Sequence, residues 1–581
     1  MTSHPKVRRA PAKRLRALFF GSTAAIGSVT IAGGASASVL FLAILGSLLG
    51  LNGSLFQWLQ PIITAASFST VGASKPSTPP PTNVTVEEPA TTPESNGPAQ
   101  TSGKREMKLG INILMPAYHG GARAFTNLIV QSPWWLVTSA GGGAMPAERL
   151  DENQNIKTLA AGEKAYRMVS APTKALLGQS VDLVCRWSGK ARVNVTGKVA
   201  QNLRLSANSL TFTFVPSGTS RPQFYISELD MANPIRDIDC READANPDAV
   251  YDPAFLAELS RYNTIRFIKW QTAVEANTPI RWVDRVRSTS NSYMAASDGV
   301  PIEKMVLLAN ETQSNPWFCM PWNADDEYIR KFAEYVRDHL DPGLVVYVET
   351  SNEVWNWMYK VTVQARDEGR ARGLAQDDGR VVLYRYAERT GEVMDIWRAA
   401  FANNPKRLVR VVSTQNVVPW AAEQVLNYKD TATKVDALST APYINWKFAA
   451  GETAPANFLT KAMIDEMAVR MGHAATNKKL ATEKGLRYIT YEAGQHITVA
   501  GDAQVPMLLQ LQQDPRMGEL YTRYLTQWKD EFGDLMVLFA AWGATTKYGA
   551  WGMQEYMGQP LNEAPKAQAV DLFARSYLTK H

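Results

Sequence analysis

Beyond residue 106 the chain alternates two patterns of apolar and polar positions. Short runs dominated by apolar and β-branched residues read as strands: "KLGINILMP" (108–116), "TIRFIKW" (264–270), "PWFCMP" (316–321), "GLVVYVET" (343–350), "RLVRVVST" (407–414), "KVDALSTAPY" (434–443), "LRYITYEAG" (486–494) and "DLMVLFAAW" (534–542). The stretches after them carry apolar residues at helical spacing. "DDEYIRKFAEYVRDHL", for example, places Ile329, Phe332, Tyr335 and Val336 on one face. "DPAFLAELSRY" (252–262) and "PIEKMVLLANET" (301–312) are helices by the same test, and others fall between 357 and 403, near 420, over 458–482, before 532 and in the closing "KAQAVDLFARSYL". Strand followed by helix implies a parallel sheet, and eight such units are the number that closes on itself. The fold class predicted is α/β, a (β/α)8 or TIM barrel. An open doubly wound sheet is the alternative, but no Gly-rich phosphate loop follows the first strand.

One region breaks the rhythm. "VDLVCRWSG", "ARVNVTGKV", "LRLSANSLTFTFVP" and "PQFYISEL" are strand-like, separated by turn residues, with no helix between them. They predict a small inserted β-sandwich over residues 145–234, after the first barrel strand and the start of the insertion (107–144), with the rest of the barrel over 235–581. Loops that follow barrel strands lie on the catalytic face, so this insert is expected to overhang the cleft.

The first 106 residues follow other rules. Residues 1–16 are basic (Lys6, Arg8, Arg9, Lys13, Arg14, Arg16), and residues 17–66 carry no Asp, Glu, Lys or Arg. A single uncleaved membrane span near Leu18–Leu49, a signal peptide cut near Ala35–Ser38 and a two-span hairpin all fit. The anchor needs one span of about 20 residues, and nothing charged separates two spans. It is the reading taken forward: a cytoplasmic N-terminus, a plasma-membrane anchor and an exported, periplasmic or extracellular body. Residues 67–106, rich in Pro, Thr and Ser, predict a disordered tether.

Composition adds exclusions. The chain has 581 residues, 45% hydrophobic and 20% charged, which is ordinary for a globular protein. Its net charge of +6 is concentrated in the segment before the anchor, so nucleic acid is not an expected partner. Three cysteines allow one disulfide at most; Cys185 and Cys240 bracket the strand-rich region and are the candidate pair. No CxxC or HExxH occurs and the six histidines are scattered, so neither a metal nor a cofactor is expected.

The C-terminal strand ends carry the candidate chemistry. In order they present Tyr118 and His119, Arg266 and Trp270, Trp322, Asn352 and Glu353, Gln415 and Asn416, Tyr443 and Asn445, Glu492, and Trp542. Glu353 follows the fourth strand, flanked by Trp355 and Trp357, and Glu492 follows the seventh. Ser351 or Asn352 could also cap a helix running through Val361 and Ala365. Two opposed carboxylates among tryptophans suit a proton donor and a nucleophile on either side of a glycosidic bond, with indole faces against sugar rings.

With "SNE" after strand four and "YEAG" after strand seven, the chain resembles the retaining glycoside hydrolases of the (β/α)8-barrel clan. "NPIRDID", "TIRFIKW", "NPWFCMPW", "YVETSNEVWNW" and "KYGAWG" resemble bacterial proteins described as cellulose-binding or glycosidase-like. The resemblance covers about residues 107–579. It implies Glu353 as acid/base, Glu492 as nucleophile and Asn352 as a partner of the sugar 2-hydroxyl. It further implies Arg266 holding Glu492 ionised, Tyr443 donating to Glu492, and Trp542 as the floor of a subsite, with Trp270, Trp322 and Trp355 as further sugar contacts. Trp322 departs from the pattern, which has His there. The function implied is a membrane-tethered enzyme cleaving a polysaccharide such as a β-glucan or exopolysaccharide with retention. A transglycosylase and a non-catalytic carbohydrate-binding scaffold are the alternatives.

Overall fold

The computed structural model describes residues 106–268, 270–271, 280–293 and 299–578. The expected cytoplasmic N-terminus and anchor lie outside them, as does the tether except Glu106. Among the described residues no helix is long and apolar enough to cross a membrane.

Eight parallel strands close a barrel in chain order: β1 (Lys108–Asn112), β2 (Thr264–Arg266), β3 (Asn315–Met320), β4 (Val346–Thr350), β5 (Leu408–Ser413), β6 (Ala437–Thr440), β7 (Arg487–Thr490) and β8 (Leu535–Leu538). The seam is β1 against β8, with Lys108 opposite Leu535 and Ile111 opposite Leu538. Helices cover the outside because their apolar faces fit the strands' outward residues: Ile329, Phe332, Ala333 and Val336 of Asp326–His339 are buried, and its polar face is solvated. Aspartates open several of them, Asp325 accepting from the Tyr328 amide and Asp252 from that of Ala254. The helix after β4 begins only at Lys360, so neither Ser351 nor Asn352 caps it.

Between β1 and β2 the chain builds two antiparallel sheets. One has four strands (Arg236–Glu242, Val181–Ser188, Ser209–Phe214, Ala200–Leu205). The other has five (Gly141–Ala144, Trp135–Thr138, Lys164–Met168, Gln223–Leu229, Ala191–Thr196). They share an apolar core that includes Leu183, Phe212, Val193, Phe224 and Ile226. A Cys185–Cys240 disulfide joins neighbouring strands of the four-stranded sheet. These strands run from Trp135 to Glu242, past both ends of the span read from sequence. "GGGA" at Gly141–Ala144 has no apolar alternation to announce it.

Past the barrel rim, Ile444–Phe448 and Gln495–Val499 pair in parallel, carrying β6 and β7 upward. Tyr443 and Glu492 lie at the base of that extension.

Candidate active site

Arg266, the last residue of β2, is the hub of the barrel mouth and is fully buried. All five of its N–H donors are used. Nε and Nη2 both reach Glu349 Oε1, the former at 3.2 Å; Nη2 also donates to Asn352 Oδ1 at 2.7 Å. Nη1 donates to Asn112 Oδ1 at 3.0 Å and to Glu492 Oε1 at 3.1 Å. The Tyr491 and Trp317 rings flank the guanidinium, with centroids 5.1 and 5.7 Å from its carbon. Asn112, at the end of β1, is itself oriented by donating to the Tyr491 and Leu538 carbonyls at 2.9 and 3.1 Å. Glu349 of β4 also accepts from Ser413 Oγ at 2.9 Å and from the Cys319 thiol at 3.0 Å. It is buried and ion-paired with Arg266.

Glu492 is 7% exposed. Its Oε2 accepts from the Tyr443 hydroxyl at 2.9 Å while Oε1 takes Arg266. Burial pushes its carboxyl up, to about 7; the Arg266 cation opposes the shift, the Glu353 charge adds to it, and the hydrogen bonds from Tyr443 and Arg266 oppose it again. Arg266 thus opposes the rise in Glu492 without cancelling it. Burial outweighs the cation.

Glu353 is half-buried. The chain coils tightly past β4, with Ser351 and Glu353 both in the left-handed region at φ 59° and 47°. Glu353 Oε1 accepts from the Tyr491 hydroxyl at 2.8 Å and Oε2 from Asn356 Nδ2 at 2.8 Å. Trp355 meets the Tyr491 ring edge-on at 6.3 Å and so braces that donor. Burial and the charges of both Glu353 and Glu492 push the Tyr359 phenol up, which puts it in the field of both carboxyl groups. His496 packs edge-on against Tyr443 at 5.7 Å and Trp551 at 5.3 Å; burial lowers its imidazole to about 4, so it is neutral at pH 7.

The structure thus brings together Glu353, Glu492, Asn352, Arg266, Tyr443 and Trp355. The other three tryptophans are placed differently. Trp270 is 1% exposed, packs against Phe125 and Phe267, and donates to the Leu114 carbonyl. Trp322 is 3% exposed beneath the helix Lys360–Ala371, donating to Glu368 at 3.2 Å with the Arg385 guanidinium over its ring. Trp542 stacks on Phe255 at 5.1 Å and is 5% exposed. Asn416 is spent on the Arg470 carbonyl and the Thr440 hydroxyl. Sequence reasoning missed Asn112, Tyr491, Asn356 and Tyr359. Of these only Tyr491, next to Glu492 in "YEAG", carried a signal: an aromatic with a hydroxyl at a barrel strand end.

The sequence matches no protein-family model and no curated protein. Its fold resembles solved structures that are glycoside hydrolases. A GH51 arabinofuranosidase from Xanthomonas axonopodis pv. citri aligns at 14% identity and a TM-score of 0.33, over 56% of this chain and 66% of that one, just under two thirds of its length. A GH5 family lichenase from Caldicellulosiruptor sp. F32 aligns at 14% and 0.33, over 55% and 83%. A 4-O-alpha-L-rhamnosyl-beta-D-glucuronidase from Fusarium oxysporum 12S aligns at 13% and 0.32, over 55% and 64%. At these identities the likeness is one of barrel fold alone.

Proposed function

We propose that the protein is a retaining glycoside hydrolase acting on a polysaccharide. The observation that carries this reading is the pair Glu353 and Glu492 at one end of the barrel, each carboxyl gripped by two donors and Glu492 within the field of Glu353. In this reading Glu353, the more exposed, protonates the departing glycosidic oxygen as Glu492 attacks the anomeric carbon. Glu353 then takes a proton from the water that releases the glycosyl-enzyme. Asn352, its oxygen tied to Arg266, keeps an amide N–H for the 2-hydroxyl. We place the body outside the membrane on an N-terminal anchor; the charge pattern of residues 1–66 supports this, and so does the Cys185–Cys240 disulfide, which persists in oxidising compartments.

A second reading exchanges the two roles, and the rise of Glu492 to about 7 favours it, since a general acid must hold its proton near working pH. One experiment separates the two. Glu353→Ala and Glu492→Ala are assayed on an aryl glycoside with a good leaving group, with and without azide. The first reading expects azide to rescue Glu353→Ala with a glycosyl azide of retained configuration, and Glu492→Ala to yield only inverted product. The reverse pattern assigns the roles the other way. Normal turnover of polysaccharide by both variants would overturn the enzyme reading and leave a binding protein.

A further inference from the structure

The outward face of the five-stranded sheet carries a row of aromatic rings that the barrel site does not use. Trp135 lies opposite Tyr166, Tyr166 opposite Tyr225, and Tyr225 opposite Asn194, one line across four neighbouring strands. Side chains alternate between faces along a strand. The flanking Leu136, Ala165, Phe224, Val193 and Val195 are buried in the core of the insert, so the row faces away from that core. The Trp135 and Tyr166 rings are nearly coplanar in orientation, 17° apart with centroids separated by 6.3 Å. Trp135, Tyr166 and Tyr225 are each half-buried.

Polar groups edge this row. Asn194 Nδ2 donates to the Tyr225 hydroxyl at 3.3 Å, and Lys164 Nζ stands 5.9 Å from the Tyr225 ring centre. Two residue pairs along, on the same face, Thr196 bonds Gln223 at 3.3 Å. Aliphatic surface on the face is sparse, with Val137 the exposed large example. The row also leads somewhere: burial and the neighbouring Tyr118 push the Tyr166 phenol up, and Tyr118 packs edge-on against the exposed His119 at 4.9 Å. Tyr118 and His119 sit on the loop leaving the C-terminal end of β1, the end of the barrel that bears Glu353 and Glu492.

Strands stand about 4.8 Å apart, so Trp135 to Asn194 spans about 14 Å, room for roughly two or three pyranose rings. Parallel ring faces match the flat C–H faces of an extended, equatorially linked sugar chain, and amides and hydroxyls beside them match its hydroxyls. We propose that this face is a second, non-catalytic binding surface for an extended neutral β-linked glucan, delivering the chain toward the barrel mouth. The ligand class rests on the carbohydrate reading of the barrel; the surface itself rests on the register and the rings.

The test uses the full chain carrying Glu492→Gln, so that turnover cannot consume the ligand, in native gels containing hydroxyethylcellulose and in titrations with cellohexaose. The parent should be retarded, and cellohexaose should shift its tryptophan fluorescence. Trp135→Met, which fills the space without a π face, and Tyr166→Leu should each weaken binding about tenfold, with melting temperature kept. Trp135→Phe should recover part of the loss. Unchanged retardation in both variants, or a parent that binds neither probe, would overturn the proposal. Retardation lost in the variants, alongside a wild-type protein with Glu492 intact that hydrolyses nothing, would keep this surface and refute the hydrolase reading instead.

Discussion

Glu349 and Glu492 share one guanidinium, and replacing the former shows what that sharing does. In Glu349→Gln the amide oxygen can still accept from Arg266 and its N–H₂ can turn to Ser413, so the frame holds while one negative charge is lost. Two carboxylates on one guanidinium stand about 6 Å apart; at an effective dielectric of about 20 their repulsion is ~3 kcal/mol, or about two pH units. Freed of that competitor, Arg266 should act fully on Glu492. The sign follows from the proposed role: as nucleophile Glu492 must be ionised to attack, activity fails as pH drops below its pKa, and a lower pKa extends activity into acid. The acid limb of kcat/KM on an activated aryl glycoside should therefore move from about 7 in the wild type toward about 5 in the variant. Arg266→Met should move it the other way. A limb that stays in place in Glu349→Gln, or climbs, would show that Glu349 does not set the charge balance of this site.

Two further outcomes are expected. Burial raises Glu492 from 4.5 to about 7, so the stability tied to its protonated form is fully present below pH 4.5 and is lost as pH rises past 7. That loss is about 3 kcal/mol. Glu492→Gln should then be more stable than wild type at pH 8 but not at pH 4 in chemical denaturation, and a difference independent of pH would refute this. Protease added to intact spheroplasts should digest the barrel if residues 1–16 are cytoplasmic; protection until lysis would place the barrel inside.

The barrel was legible because strand and helix leave different periods in the chain, and eight repetitions leave little freedom in how they close. Strand ends were legible too, which is why Glu353, Glu492, Asn352, Arg266 and Tyr443 could be named together. What covers a strand end was not. Trp322 ends up under the helix Lys360–Ala371, bonded to Glu368, and that helix reads from sequence like any other between two strands. Trp542 is claimed by Phe255, far away in the chain. Tyr491 and Glu492 are adjacent in sequence, yet their side chains serve opposite carboxyl groups: Tyr491 donates to Glu353 while Glu492 takes Arg266 and Tyr443. Strand alternation explains this once seen, but no pattern in the letters announces which neighbour each will meet.

The seam between β1 and β8 has a consequence in time. Lys108 and Leu535 are far apart in the order of synthesis, and the pairing between them must wait for almost the whole chain. Asn112, on the early side of that seam, seats Arg266 and is itself held by carbonyls at Tyr491 and Leu538, both made late. A nascent chain therefore has Arg266, Glu349 and Tyr443 before Glu492, but Asn112, which seats Arg266, lacks the Leu538 carbonyl until the last strand arrives. The insert, whose sheets and disulfide lie wholly between β1 and β2, needs no such wait. In a chain made from its N-terminus, the sheet that bears Trp135, Tyr166 and Tyr225 can be in place while the barrel mouth is still unassembled.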